Sequence, residues 1–107
     1  MAAIALTSVN VYPHTHRVAL SGTPNTMQAF SLPGGATQVQ VISETNSCKI
    51  VTQGGSDATV ITTEHYLEVP AGSLYYHDLP RSKSAHTLWV ASATGSTVVS
   101  VQVGARD

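Results

Sequence analysis

Runs of β-forming residues return about every ten residues along this chain, each closed by Gly, Pro, Ser, Thr or Asn. Gln38-Val39-Gln40-Val41-Ile42 and Val99-Ser100-Val101-Gln102-Val103 alternate apolar and polar residues. A strand with one dry and one wet face requires that period of two. The best helical candidate, Thr62 to Val69, is short and rich in β-branched and aromatic residues, so no segment reads as a helix. The expected fold is all-β: a single jelly-roll-like or Greek-key β-sandwich of about eight to ten short strands.

The beat can be followed residue by residue. Ala3 to Leu6 and Val9 to Tyr12 read as extended, with Pro13 as a stop. Arg17 to Leu20, Met27 to Leu32, Thr37 to Ser43 and Cys48 to Gln53 follow, separated by Ser21 to Asn25, Pro33-Gly34-Gly35 and Glu44 to Ser47. Gly54-Gly55-Ser56-Asp57 reads as a hairpin loop into a strand over Ala58 to Thr63. Tyr66 to Val69, Leu74 to His77, Thr87 to Ser92 and Thr97 to Val103 complete the set. Leu79 to Ala85 is the longest stretch without a strand pattern. The whole of 1–107 is expected to form one domain, with 1–12 an extended N-terminal arm or strand and 104–107 a frayed tail.

Charged residues make up 10% of the chain, against about 25% in an average soluble domain, and polarity is carried by Ser, Thr, Gln and Asn. Hydroxyls and amides are easier to desolvate than Lys and Glu. Such a surface suits burial against another protein, and it is equally what surface strands favour. The net charge is −1, and Arg17, Lys49, Arg81, Lys83 and Arg106 form no stripe, so nucleic-acid binding is not expected. Met1 to Thr7 has no basic n-region and too short an apolar run for a signal peptide. No stretch reaches the ~18 apolar residues of a membrane helix. The expectation is a soluble protein made in a cytoplasm. Cys48 is the sole cysteine and reads as a half-buried residue at a strand start.

Five histidines raise the question of a metal. His14-Thr15-His16 places two imidazoles on one side of an extended chain, the first half of a cupin-type arrangement. No carboxylate follows until Glu44, and the spacing of His65, His77 and His86 gives no reason for them to converge. The other reading is a polar turn after Pro13. His77-Asp78 would point to opposite faces of a strand, and no Gly-x-Ser-x-Gly elbow is present, so a hydrolase triad is not expected. Glu64 and Glu68 would lie roughly 13 Å apart along an extended chain, beyond a glycosidase pair. Gly34-Gly35 and Gly54-Gly55 precede no helix and read as turn glycines rather than phosphate loops. No catalytic residue, metal site or cofactor is expected.

From Tyr66 to Val103 a further pattern stands out. Tyr-Leu-Glu-Val-Pro-Ala-Gly-Ser at Tyr66 to Ser73 is followed by Leu-Tyr-Tyr-His-Asp-Leu-Pro at Leu74 to Pro80. After a charged loop comes Thr-Leu-Trp-Val-Ala-Ser-Ala-Thr-Gly-Ser-Thr-Val-Val-Ser-Val-Gln-Val at Thr87 to Val103. The last piece, aromatic-Val-Ala-Ser-x-x-Gly-Ser-x-Val-Val-x-Val, resembles the closing hairpin of small virion proteins of tailed bacteriophages, and the resemblance covers about a third of the chain. These are jelly-roll capsid decoration (cement) proteins and the related β-sandwich domains of head fibres and tails. The resemblance implies a non-enzymatic structural role, stabilising a phage head through capsomer-bridging contacts. The implied partner is the major capsid protein, the implied state a homo-oligomer (dimer or trimer), and the implied location the virion surface after synthesis in a host cytoplasm. No catalytic residues come with it.

The residues expected at an interface are Ile4, Leu6, Val9 and Tyr12 in the apolar N-terminal segment, Arg81 and Lys83 in the charged loop, and Trp89. Trp89 shares a strand face with Thr87 and Ala91, opposite Leu88 and Val90. It looks outward if Leu88 and Val90 face the core, unless both faces of that strand are covered. Two alternatives stay open: a carbohydrate-binding or tail-fibre module stacking sugars on Trp89 and a tyrosine, and a cupin-like metalloprotein using His14 and His16.

Overall fold

The computed structural model describes residues 3–5, 14–78 and 86–104. The strands are β1 (Ile4–Ala5), β2 (His14–Ala19), β3 (Gln28–Leu32), β4 (Gln38–Ser43), β5 (Cys48–Val51), β6 (Leu67–Val69), β7 (Leu74–Asp78), β8 (His86–Ala91) and β9 (Val98–Gly104). They form two sheets, one ordered β1-β3-β8-β5-β6 and the other β2-β9-β4-β7. All pairings are antiparallel except the short β1·β3 contact. Each strand crosses to the opposite sheet from its predecessor, save β6, which stays beside β5.

Alternation explains the layering. In β4 the inward set is Val39, Val41 and Ser43, and in β9 it is Val99, Val101 and Val103. These meet Phe30, Leu32, Cys48, Ile50, Leu88 and Val90 from the other sheet to make the core. β-branched valines fit this role because their stiff χ1 suits a pleated surface. Cys48 opens β5 as expected but is fully buried rather than half-buried.

The expected strand over Ala58 to Thr63, with Gly54 to Asp57 as its hairpin loop, does not form. Besides β8, the antiparallel partner of β5 is β6, and part of the segment 52–66 between them, 52–61, folds over the outer face of the five-stranded sheet. Only an isolated bridge, Thr26 to Val60, survives from the expected strand. Two local features override the alternating pattern. Ala58 sits at φ 60°, which breaks an extended run. The Asp57 carboxylate accepts a 2.9 Å hydrogen bond from the Ala29 N–H, tying the loop to β3. The Met27 and Ile61 amides then donate to Thr59 O and Asn25 O at 2.9 Å each.

Under this loop lies a second small core of Met27, Val51 and Ala91, with Ile61 and Trp89 packed against it. The outer face of β8 is therefore covered at Trp89 and Ala91, though not at Thr87, and Trp89 is not an exposed outward platform. Gly55 lies against the indole, where an added Cβ would collide with the Trp89 ring carbons. Gly55→Val is expected to lift the loop, lower stability by about 1–3 kcal/mol, and shift the emission of the sole tryptophan to longer wavelength. Unchanged emission and unchanged urea midpoint would contradict this packing.

Two smaller expectations also change. Gly104 is not frayed: it is buried in β9 and pairs with Gln38. His14-Thr15-His16 is not a turn but the start of β2, paired along β9.

Candidate functional site

The two sheets have unlike outer surfaces. Segment 52–61 partly covers the five-stranded sheet, whereas the outer face of β2-β9-β4-β7 is bare among the described residues. The register assembles that face in rungs. One runs Thr15, Gln102, Gln40, Tyr76, and the next Arg17, Ser100, Ile42, Leu74. Ala19 and Val98 extend it on one side, Gln38 and Asp78 on the other. It is a flat surface of amides, hydroxyls and aliphatic groups. Leu74 and Tyr76 are 56% and 43% exposed.

The polar groups are partly pre-ordered. The Tyr76 hydroxyl donates to Asp78 Oδ1 at 2.6 Å and lies 3.2 Å from Gln38 Oε1, which leans the ring along the sheet. Gln102 Nε2 donates to Thr15 Oγ1 at 3.0 Å. Two shallow depressions of about 120 and 150 Å³ sit side by side here. Ile42 and Ser100 line both, Leu74 and Gln40 wall the first, and Arg17 and Glu44 the second. Neither is a closed pocket able to exclude water from a reacting group. The arrangement is suited to contact over an area.

The sequence-derived interface residues are placed differently. Ile4, on β1, is half-buried and packs on the core. Trp89 is half-buried beneath Gly55. Leu6, Val9, Tyr12, Arg81 and Lys83 lie outside the described residues. The strand ends that flank their segments can be located. Ala5 pairs with Ser31 and His86 with Leu32, while His14 pairs with Val103 and Asp78 with Gln38. Since 33–37 joins Leu32 to Gln38, all four flanking ends share one end of the sandwich.

His16 lies on the inward-facing register of β2 with Val18, and His77 and His65 are exposed elsewhere. Among the described residues no three His, Cys, Asp or Glu side chains converge as a metal-binding group. His77 stacks on Tyr75, with ring centres 6.1 Å apart and planes 8° from parallel. No helix among the described residues is long and apolar enough to cross a membrane.

Among the described residues, three groups depart from their ordinary acidity for structural reasons. Burial pushes the Cys48 thiol up to about 11 and raises the Tyr75 phenol. The Thr62 amide, the backbone of Glu64 itself and the Thr63 amide lower the Glu64 carboxyl. The Cys48 shift has two consequences. Native protein at neutral pH is expected to leave thiol reagents unreacted until it unfolds. An unfolded chain ionises near pH 9 while the folded thiol holds its proton, so stability should fall as pH rises from about 9 to about 11. Rapid thiol labelling of the folded protein at pH 8 would contradict this burial.

The bare sheet face does not stand out in the sequence. Its signal is present in the wet sides of Gln38 to Ile42 and Val99 to Val103, but only the register shows that these sides are neighbours. No protein-family model, curated protein or solved structure matches the chain.

Proposed function

We propose that the protein is a non-enzymatic jelly-roll module that docks onto a larger protein shell, as a capsid decoration protein does on a phage head. Strand order supports the fold reading. Setting β1 aside, the sheets run β2-β9-β4-β7 and β3-β8-β5-β6. Eight strands numbered this way follow the two interleaved Greek keys of a jelly roll, an architecture shared by viral capsid and lectin domains. The observation that carries the functional reading is the contrast between the two outer faces. One is partly covered by the chain's own loop, over Met27, Val51, Trp89 and Ala91, and the other is a surface of amides, hydroxyls and Ile42, Leu74 and Val98, with charge only at its margins. Such a surface loses little on desolvation and can be covered by a protein. Many copies of a modest contact then hold a shell by avidity. The resemblance of Tyr66 to Val103 to phage virion proteins supplies the class of partner, the major capsid protein.

A second reading has one specific observation behind it. Tyr76, held by Asp78 and flanked by Gln38 and Gln40, is a better sugar platform than the covered Trp89. Quantitative mass spectrometry of purified virions tests the first reading. The chain should be present in a fixed ratio to the major capsid protein. Its absence from particles, with binding to host polysaccharide, would replace that reading with the second.

A further inference from the structure

We propose that the protein forms a two-fold dimer by antiparallel pairing of β7 with β7 of a second copy. This deepens the reading above by naming the homo-oligomer's contact, but the edge strand argues for it independently of any capsid.

Sheet edges are hazards, and proteins blunt them with short strands, bulges, prolines or charges. Three of the four edges here are blunted. β1 has two residues, β6 has three, and β2 carries Arg17 within it. β7 is the exception. It runs five residues, Leu-Tyr-Tyr-His-Asp, with no Pro and with its one charge, Asp78, at the very end rather than within it, and pairs with β4 in unbroken register without a bulge. Among the described residues no strand occupies its far side. Apolar exposure gathers on this flank too. Of the six large hydrophobic residues that stay exposed among those described, Tyr66, Leu67, Leu74 and Tyr76 belong to β6, β7 or the residue just before β6.

A second copy fits this edge because the strand is self-complementary. An antiparallel register centred on Tyr76 sets Tyr76 against its own equivalent. Tyr75 then faces His77 of the second copy twice over, extending the in-chain Tyr75–His77 stack. Asp78 falls opposite Leu74, so no like charges meet. The product is a continuous eight-stranded sheet, β2-β9-β4-β7-β7-β4-β9-β2.

Area explains what pairing achieves. At about 4.8 Å between strands and 3.4 Å per residue, one copy's bare face spans roughly 400 Å². A stable protein contact takes about 800 Å² of accessible surface from each partner, more than a five-residue edge supplies, so the β7 pair is a weak, reversible contact. Two edge-paired copies double the continuous bare face offered to a larger partner.

Sedimentation equilibrium over a concentration series, with three variants, tests the pairing. Wild-type protein should be a reversible dimer. Tyr76→Lys sets two ammonium groups face to face and removes an aromatic pair, so it should weaken dimerisation about tenfold while leaving the thermal midpoint within a few degrees. Tyr76→Cys should give a disulfide-linked dimer under mild oxidation. Val98→Cys, on the same face but away from the edge, should give none. A wild-type monomer at every concentration, or a dimer that Tyr76→Lys leaves intact and Tyr76→Cys does not cross-link, overturns the proposal. A monomer that still binds capsids would remove the pairing and keep the docking function. A dimer indifferent to capsids would do the reverse.

Discussion

Phe30→Ala is expected to lower the unfolding free energy by about 3–5 kcal/mol, the largest loss that truncating a single core side chain of this domain should cause. Phe30 is the largest of the fully buried side chains and sits within the five-stranded sheet, between β1 and β8. It pairs with Leu88 on one side and with Ile4 on the other, and its ring faces the valines of β4 and β9 across the core. Removing it leaves a void that neither sheet can close, because both are fixed by their ladders. A small domain holds roughly 5–15 kcal/mol in total, so the variant should be marginal at 37 °C. Urea unfolding followed by Trp89 emission gives the value. A loss below about 1 kcal/mol would mean that the two sheets are not packed around this ring.

Ile42→Glu is expected to weaken docking strongly while leaving the fold intact. Ile42 lies outward on β4, between Ser100 and Leu74, and lines both depressions on the bare face. A carboxylate there would be desolvated under any protein covering the face, and since the charges of Arg17 and Glu44, which wall the same depression, offset each other, it would leave the patch net negative. Burial of such a charge at the centre of an interface should weaken capsid binding by about thirtyfold or more. Being half-exposed in the free protein, the position should tolerate the change with little movement of the thermal midpoint. Normal capsid binding by a folded Ile42→Glu protein would move the docking surface elsewhere on the molecule.

The class of fold was legible because period-two alternation is a local property. Gln38 to Ser43 and Val98 to Val103 carry their dry and wet faces in their own order of residues, and both formed strands within a residue or two of expectation. Segment 58–63 shows where such alternation misleads. Ala58 to Thr63 alternates as a strand would, but its backbone bonds to Asn25 and Met27 in a covering loop, fixed by the distant Asp57–Ala29 contact. Trp89 shows the same limit. Its outward register was legible, but Gly55, the residue that covers it, lies far away in sequence. The bare face is also a product of topology. Thr15, Gln40, Tyr76 and Gln102 are widely separated in the chain, and they become neighbours only through β2-β9-β4-β7 order.

The most direct measurement is a binding titration onto cognate capsids that lack the chain, read by co-sedimentation. Docking through the bare sheet predicts saturation at a fixed ratio to the major capsid protein, higher heat resistance of the loaded shell, and weakening of both effects with Ile42→Glu. Folded wild-type protein that stays in the supernatant at every concentration would contradict the account.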